Sequence, residues 1–95
     1  MDDFIQGILK KVEQLYSRIE EKRKLIVVYG MICNLEKYNA IFDIQVIINQ
    51  CLQCGNYRRS YRYMVLLEYL VNDFEKNENM IKDEVTNYFV KDNLE

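Results

Sequence analysis

The chain has 95 residues, of which 49% are hydrophobic and 29% charged, and its formal net charge is −2. A chain of this length builds one core, so we expect a single domain over residues 1–95. The hydrophobic fraction is too high for an intrinsically disordered chain. The longest apolar run, residues 25–33, is far shorter than the roughly 18 residues of a bilayer span, so no membrane association is expected.

The charges are unevenly distributed along the chain. Residues 1–62 hold ten Lys and Arg against seven Asp and Glu, whereas residues 63–95 hold three against eight. The last third therefore repels polyanions, while the first two thirds tolerate them.

Three observations predict the compartment. The first residues, MDDF, lack the features of a secretory signal, and three cysteines are an odd number without a disulfide framework. The single alanine and the abundance of Ile, Asn, Lys and Tyr are typical of an AT-rich genome. We therefore expect a cytoplasmic protein of a bacterium or, for a viral protein, of the host cytosol.

The first 22 residues carry the apolar stripe of an amphipathic helix. The residues of this stripe recur every three or four positions and are Ile5, Ile8, Val12, Leu15 and Ile19. Nothing in residues 20–26 forces the helix to end, and Ile26 and Tyr29 resume the spacing. One long helix through this segment is therefore an alternative to two shorter ones.

The rest of the chain favours further helices. Residues 25–33 and 41–52 are apolar on nearly every face, Gly55 ends the second of these segments, and two more apolar stripes follow. We predict an all-α antiparallel array of five helices over residues 2–22, 24–35, 40–54, 56–76 and 79–91. The alternation of apolar residues from Phe42 to Ile48 is a strand signal, so an α+β fold with a small hairpin over residues 25–48 is the alternative.

The stripe of the first helix is one candidate binding surface. It is wide enough that part of it would remain exposed, which soluble monomers rarely allow, and its near-heptad spacing suits contact with another helix. We predict that a partner helix or a second copy of the chain binds Ile5, Ile8, Val12, Leu15 and Ile19. The alternative is that the other helices cover both sides of the stripe.

Residues 57–63, with the sequence YRRSYRY, form a second candidate surface. On a helix Arg58 and Arg62 share one face, while the residues expected to point inward are Tyr57, Tyr61 and Met64. Arg and Tyr are enriched in protein-binding hot spots, but they also combine phosphate contacts with base stacking. Because the downstream segment is acidic, a protein partner for Arg58, Arg59 and Arg62 is favoured over nucleic acid, and a solvated face is the simplest interpretation.

The residues indicate no catalytic chemistry. The chain has no histidine, no Gly-rich phosphate loop and no nucleophile with a recognisable activating partner. Cys51 and Cys54 form a C-x-x-C pair, but a structural zinc ion needs four ligands. We interpret the pair as small buried hydrophobic residues and expect no enzyme activity, no metal and no cofactor.

Residues 43–70 resemble one hairpin of a tetratricopeptide repeat. The resemblance rests on Gly55, Tyr57 and Ser60 at the turn into the second helix, whereas Ile48 stands where the family has a small residue. No second copy is visible at the ~34-residue period of such repeats. In outline the chain is also similar to the small helical chaperones of bacterial type III secretion and to viral helical adaptors. These resemblances imply a protein-binding module, adaptor or chaperone, and no functional residue is carried over from them.

Overall fold

The computed structural model describes residues 2–33 and 36–94, with side chains up to Lys91 in the last helix. It contains four α-helices: α1 (Asp3–Cys33), α2 (Glu36–Gln53), α3 (Tyr57–Lys76) and α4 (Glu78–Leu94). No strand occurs in the described residues, so the all-α prediction is confirmed and the hairpin alternative over residues 25–48 is wrong. Residues 34 and 35, where the second predicted helix ended, lie outside the described residues.

The prediction of five helices was wrong because the first two predicted helices are one. α1 continues through residues 20–26, and Ile26 and Tyr29 are buried on the same stripe as Ile19. The Lys22 ammonium in this polar segment donates to Glu78 at 2.8 Å. The polar run therefore carries contacts to another helix and leaves the apolar stripe uninterrupted.

α1, α2 and α3 pack side by side around one core. The Tyr16 hydroxyl of α1 donates to the carbonyl of Gln45 in α2 at 3.0 Å, and the rings of Tyr29 and Tyr38 lie 6.0 Å apart, so α2 runs antiparallel to α1. Tyr38 packs on Phe74 near the end of α3, which makes α3 antiparallel to α2. The innermost side chains, each less than 2% exposed, include Leu15, Ile19, Ile41, Ile48, Leu67 and Phe74.

α1 and α3 run parallel in a constant register. Their contacts recur every seventh residue on both helices: Phe4 with Tyr61, Lys11 with Glu68, and Arg18 with Glu75. A seven-residue repeat keeps the same side of a helix against its neighbour. α3 therefore turns one flank toward α1 over most of its length.

The turn between α2 and α3 forms where the sequence predicted it. Gly55 adopts a φ of 72°, and the Asn56 amide donates to the carbonyl of Cys51 at 2.8 Å. The Asn56 side chain then accepts from the Arg59 amide and caps α3. Residues 43–70 thus form a helical hairpin, while the repeat-like arrangement is not confirmed.

The last helix corrects the prediction of a fully antiparallel array. Asn77 alone separates α3 from α4, and one residue is too short to reverse the chain. Lys22 contacts Glu78 and Cys33 contacts Glu84, so α4 follows the direction of α1. The described chain measures 58 × 19 × 15 Å, and its radius of gyration is 15.7 Å against about 12 Å for a compact chain of this length. The molecule is therefore a rod.

Candidate functional site

The apolar stripe predicted as a binding surface on the first helix lies inside the protein. Ile8, Val12, Leu15 and Ile19 are at most 5% exposed, whereas Ile5 is half-buried. The four buried residues belong to the core formed with α2, α3 and the start of α4. Binding through this stripe stays a prediction, and it would require the helices that cover it to separate.

α3 has a second apolar face that points away from the core. Its buried residues are Ser60, Met64, Leu67, Leu70, Val71 and Phe74. On the opposite side lie Arg58, Arg62, Val65, Leu66 and Tyr69, which we term the outer face of α3. Arg58, Arg62, Val65 and Tyr69 share a face because they follow one another at intervals of three or four residues, and Leu66, four residues after Arg62 and three before Tyr69, borders it.

The centre of the outer face is apolar and open to solvent. Val65 is 45% exposed, Leu66 44% and Tyr69 64%. The arginines of this face were predicted from the sequence, whereas these three residues were not. Their three-and-four spacing with Arg62 places them on its side of the helix, but the same spacing is typical of a buried face.

Tyr61 corrects one sequence-based expectation. It was expected to point inward with Met64, but it is 44% exposed and its ring lies 5.8 Å from that of Phe4. Met64 is buried and Tyr57 half-buried, as expected. Tyr61 belongs to the flank of α3 that faces α1, where only part of its ring is covered.

Three arginines, Arg58, Arg59 and Arg62, lie at the start of α3. None of the ion pairs between described residues involves Arg58, Arg59 or Arg62. Arg59 stacks over the ring of Tyr63 at 5.7 Å, and a hydrogen bond to Tyr63 raises the pKa of its guanidinium. Together with Leu66 and Asn56, these four residues line a shallow open groove.

The three carboxylates of α3 are paired with cations of α1 and α2. Toward α1, Glu68 pairs with Lys11, and Glu75 pairs with Arg18 at 2.5 Å. Toward α2, Asp73 accepts from Lys37 at 2.6 Å and from the Tyr38 hydroxyl at 2.8 Å. These bonds, first that to Lys37, hold the pKa of Asp73 below its usual range. Within the described residues, Arg58 and Arg62 of the outer face take part in none of these ion pairs.

The cysteines occupy different environments. Cys51 is buried, as expected for a small hydrophobic residue, but Cys54 is exposed at the end of α2 and corrects that interpretation. Cys33 is half-buried, and its thiol donates to Glu84 at 3.8 Å. No group of three or more Cys, Asp or Glu side chains among the described residues is placed to hold a metal ion.

A smaller exposed apolar group lies on α4. Tyr88, Phe89 and Val90 are each about half exposed, and the two rings contact each other edge to face at 5.6 Å. Ile81 is the buried residue of α4, and Val85 is half-buried. The helix is therefore attached to the core through its first half.

The outer face of α3 combines an aromatic and aliphatic centre with guanidinium groups, and Tyr and Arg are residue types enriched in protein-binding hot spots. No family model, curated protein or solved structure matches this chain. Of the helices described, none is both long enough and apolar enough to cross a bilayer.

Proposed function

We propose that this chain is a small, non-enzymatic helical module that binds another protein, as an adaptor or chaperone, through the outer face of α3. The observation that carries the proposal is the exposed group of Val65, Leu66 and Tyr69 beside the unpaired Arg58 and Arg62. Covering the apolar centre removes it from water, and each fully buried side chain of this size contributes about 1.5–3 kcal/mol.

The chemistry of this face defines the partner segment. A groove or helix with apolar residues at its centre would cover Val65, Leu66 and Tyr69. Carboxylates at one end of that segment would accept charge-assisted hydrogen bonds from Arg58 and Arg62, which orient the complex more than they tighten it. The partner is therefore an acidic amphipathic segment of a cytoplasmic protein, in a bacterium or in the host of a virus.

A nucleic-acid regulator is the second candidate. It is favoured by the groove in which Arg58, Arg59 and Arg62 surround Tyr63, since guanidinium groups bind phosphates and an aromatic ring can stack on a base. The apolar centre of the outer face weighs against it, because phosphate contacts would leave that centre in water. A protein partner makes use of both parts of the face.

Matched surface variants test the protein-binding proposal. Partners are captured from nuclease-treated host lysate with four tagged proteins: the wild type, Leu66→Asp, Arg62→Glu and Val46→Asp. The captured protein is then purified, and its affinity for each of the four is measured. Val46 is the control because it is 54% exposed and lies on α2. We expect Leu66→Asp and Arg62→Glu to weaken binding at least tenfold, whereas Val46→Asp binds like the wild type. Equal binding by all four proteins would contradict the proposal.

A salt series separates the two candidates. Binding of labelled duplex DNA and single-stranded RNA is measured by mobility shift at increasing salt, because release of counterions makes nucleic-acid affinity fall steeply with salt concentration. We expect no retained complex at physiological salt. A steep salt-dependent shift that Arg58→Glu and Arg62→Glu abolish, without a captured protein, would favour the nucleic-acid function.

A further inference from the structure

We propose that Cys51 and Cys54 form a thiol-oxidation site, at which a hydroperoxide converts the two thiols into a disulfide and Arg59 assists the step that closes it. Both cysteines are free in this structure. The inference goes beyond the proposed function, because the site lies at the end of α2 and does not use the apolar centre of the outer face of α3. Three features support it: the position of the thiols, the cation beside them and the difference in their exposure.

The two thiols lie in one recess at the turn between α2 and α3. Cys51 and Cys54 line this recess together with Asn56 and Arg59. Cys51 is 7% exposed, but it is not among the described side chains that make up the main core. Its side chain therefore lies at the margin of the core, below the recess.

The spacing of the two cysteines allows a disulfide. Residues three apart on a helix have Cβ atoms about 5–6 Å from each other, and a disulfide requires about 3.5–4.5 Å. Cys54 follows Gln53, the last residue of α2, and its amide donates to the carbonyl of Gln50 at 3.1 Å. A shift of about 1 Å at Cys54 closes the difference, and it leaves the helix before this residue in place.

The third cysteine is too far away to compete for this pairing. Leu52, near the end of α2, lines a groove with Leu9, near the start of α1. Cys33 is the last residue of α1 and contacts Glu84 of α4. The 24 residues from Leu9 to Cys33 span about 36 Å of helix at 1.5 Å per residue. Within one chain, the disulfide therefore joins Cys51 to Cys54.

Arg59, in the first turn of α3, provides a cation beside Cys51. The pKa of its guanidinium is raised by a hydrogen bond to Tyr63, by the charge of Tyr63 and then by that of Cys51. The guanidinium also stacks over the Tyr63 ring at 5.7 Å, which holds it in place. The thiolate is the form of cysteine that reacts, and a neighbouring arginine favours it. Arg59 is thus placed to assist an attack by the Cys51 sulfur.

The difference in exposure assigns the first step to Cys54, which is exposed. Its thiolate attacks one oxygen of the hydroperoxide, the O–O bond breaks, and the other oxygen takes up a proton and leaves as an alcohol, or as water from hydrogen peroxide. Cys54 is then a sulfenic acid.

In the second step the Cys51 thiolate attacks the Cys54 sulfur. The S–S bond forms, the S–O bond breaks, and the hydroxide that leaves takes up a proton to give water. The two thiols together lose two electrons, and the hydroperoxide gains them. Because Arg59 lies beside Cys51, this second step is the one that it assists.

Treatment of the full chain with hydrogen peroxide tests the inference. Residues 38–58 form one tryptic peptide that contains both cysteines, so mass spectrometry after alkylation shows whether they are joined. We expect this peptide to lose two hydrogens and to resist alkylation until dithiothreitol restores both thiols. Sulfinic acid at Cys54 with a reduced Cys51, or chains joined to each other through Cys54, would overturn the inference.

Substitution of each cysteine tests the order of the steps. In Cys51→Ser, dimedone should trap a sulfenic acid at Cys54, because no thiol is present to resolve it. In Cys54→Ser, the buried Cys51 should remain unmodified. Circular dichroism verifies that both variants are folded. A dimedone adduct on Cys51 in Cys54→Ser would contradict the assigned order.

A matched pair of arginine variants tests the role of Arg59. We expect Arg59→Gln to form the disulfide roughly fivefold more slowly than Arg58→Gln and to give more dimedone adduct at Cys54, because the Cys51 thiolate is less favoured. Arg58 is the control, since it does not line the recess. The cap of α3 uses the Arg59 amide, so Arg59→Gln retains it. Equal rates for the two variants would remove Arg59 from the mechanism.

Discussion

Gly55 illustrates how one residue determines the path of the chain. Its φ of 72° lies in the left-handed region, where a side chain approaches the following carbonyl. The amides of Gly55 and Asn56 donate to the carbonyls of Leu52 and Cys51 at 3.2 and 2.8 Å, which satisfies the open end of α2. The antiparallel pairing of α2 with α3 depends on this conformation.

Substituting two glycines by alanine should therefore have opposite effects. We expect Gly55→Ala to lower the free energy of unfolding by about 1 kcal/mol, because alanine is strained at positive φ. Gly7 lies within α1 with open space around it, so Gly7→Ala should raise that free energy by up to about 1 kcal/mol through helix propensity. Thermal unfolding measures both, and a stabilised Gly55→Ala protein would disagree with this account.

At the scale of the element, the attachment of α4 depends on Glu78 at its start. Glu78 pairs with Lys22 of α1 at 2.8 Å and with Lys82 one turn later at 3.1 Å. The hydrogen bond to Lys22, followed by that to Lys82, lowers the pKa of Glu78 in the folded chain. The negative charge also lies at the positive end of the helix dipole.

Acidification should therefore weaken the fold, and Glu78→Gln should reduce the effect. Because the pKa of Glu78 is lower in the folded chain, the unfolded chain binds a proton at this carboxylate first as the pH falls. The contribution of Glu78 to the free energy of unfolding is therefore complete above the ordinary carboxyl pKa of about 4.3. It is lost as the pH drops through and below that value. Melting temperatures at pH 7 and pH 3 should differ less for Glu78→Gln than for the wild type. Asp83→Asn, which removes an exposed carboxylate from the same helix, should keep the wild-type difference.

The sequence predicted some elements well and others poorly for a physical reason. The ends of α2 and α3 around Gly55 depend on local backbone geometry, so they were predicted to within one residue. The continuity of α1 was left open, because Lys22 interrupts the apolar spacing and its partner Glu78 lies 56 residues away in the sequence. Nothing between residues 20 and 26 ends the helix locally, and the buried Ile26 and Tyr29 continue its apolar stripe.

The candidate site was predicted in part for a related reason. Arg58 and Arg62 form a conspicuous local pattern with the tyrosines, and the structure places both on the outer face of α3. Val65, Leu66 and Tyr69 follow an apolar spacing that is indistinguishable from that of a core, since α3 is apolar on two sides. The position of α2 and α1 around the helix decides which side is covered.

At the scale of the whole molecule, the rod has one well-packed region and one sparsely packed end. α1, α2 and α3 enclose the core, whereas the side chains of α4 from Thr86 to Lys91 are exposed. Few buried contacts and solvent-exposed backbone hydrogen bonds are the conditions for local opening. The end of α4 should therefore open without the rest of the fold.

Amide hydrogen exchange followed by mass spectrometry should show this gradient. We expect the slowest exchange in peptides from α2 and α3 and a sharp loss of protection after Val85 in α4. Equal protection along the whole of α4 would indicate that another molecule covers its end.

The long reach of α1 also affects the order in which the chain folds during synthesis. α1 leaves the ribosome before α2, α3 and α4. Arg18 cannot form its ion pair until Glu75, 57 residues later, has been synthesised, and the pair of Lys22 likewise requires Glu78. The α2–α3 hairpin forms as soon as both of its helices have emerged, because its contacts are close in sequence. During translation, the apolar stripe of α1 therefore stays at least partly uncovered until the second half of the chain emerges. In that interval the nascent chain is open to chaperones and to neighbouring nascent chains.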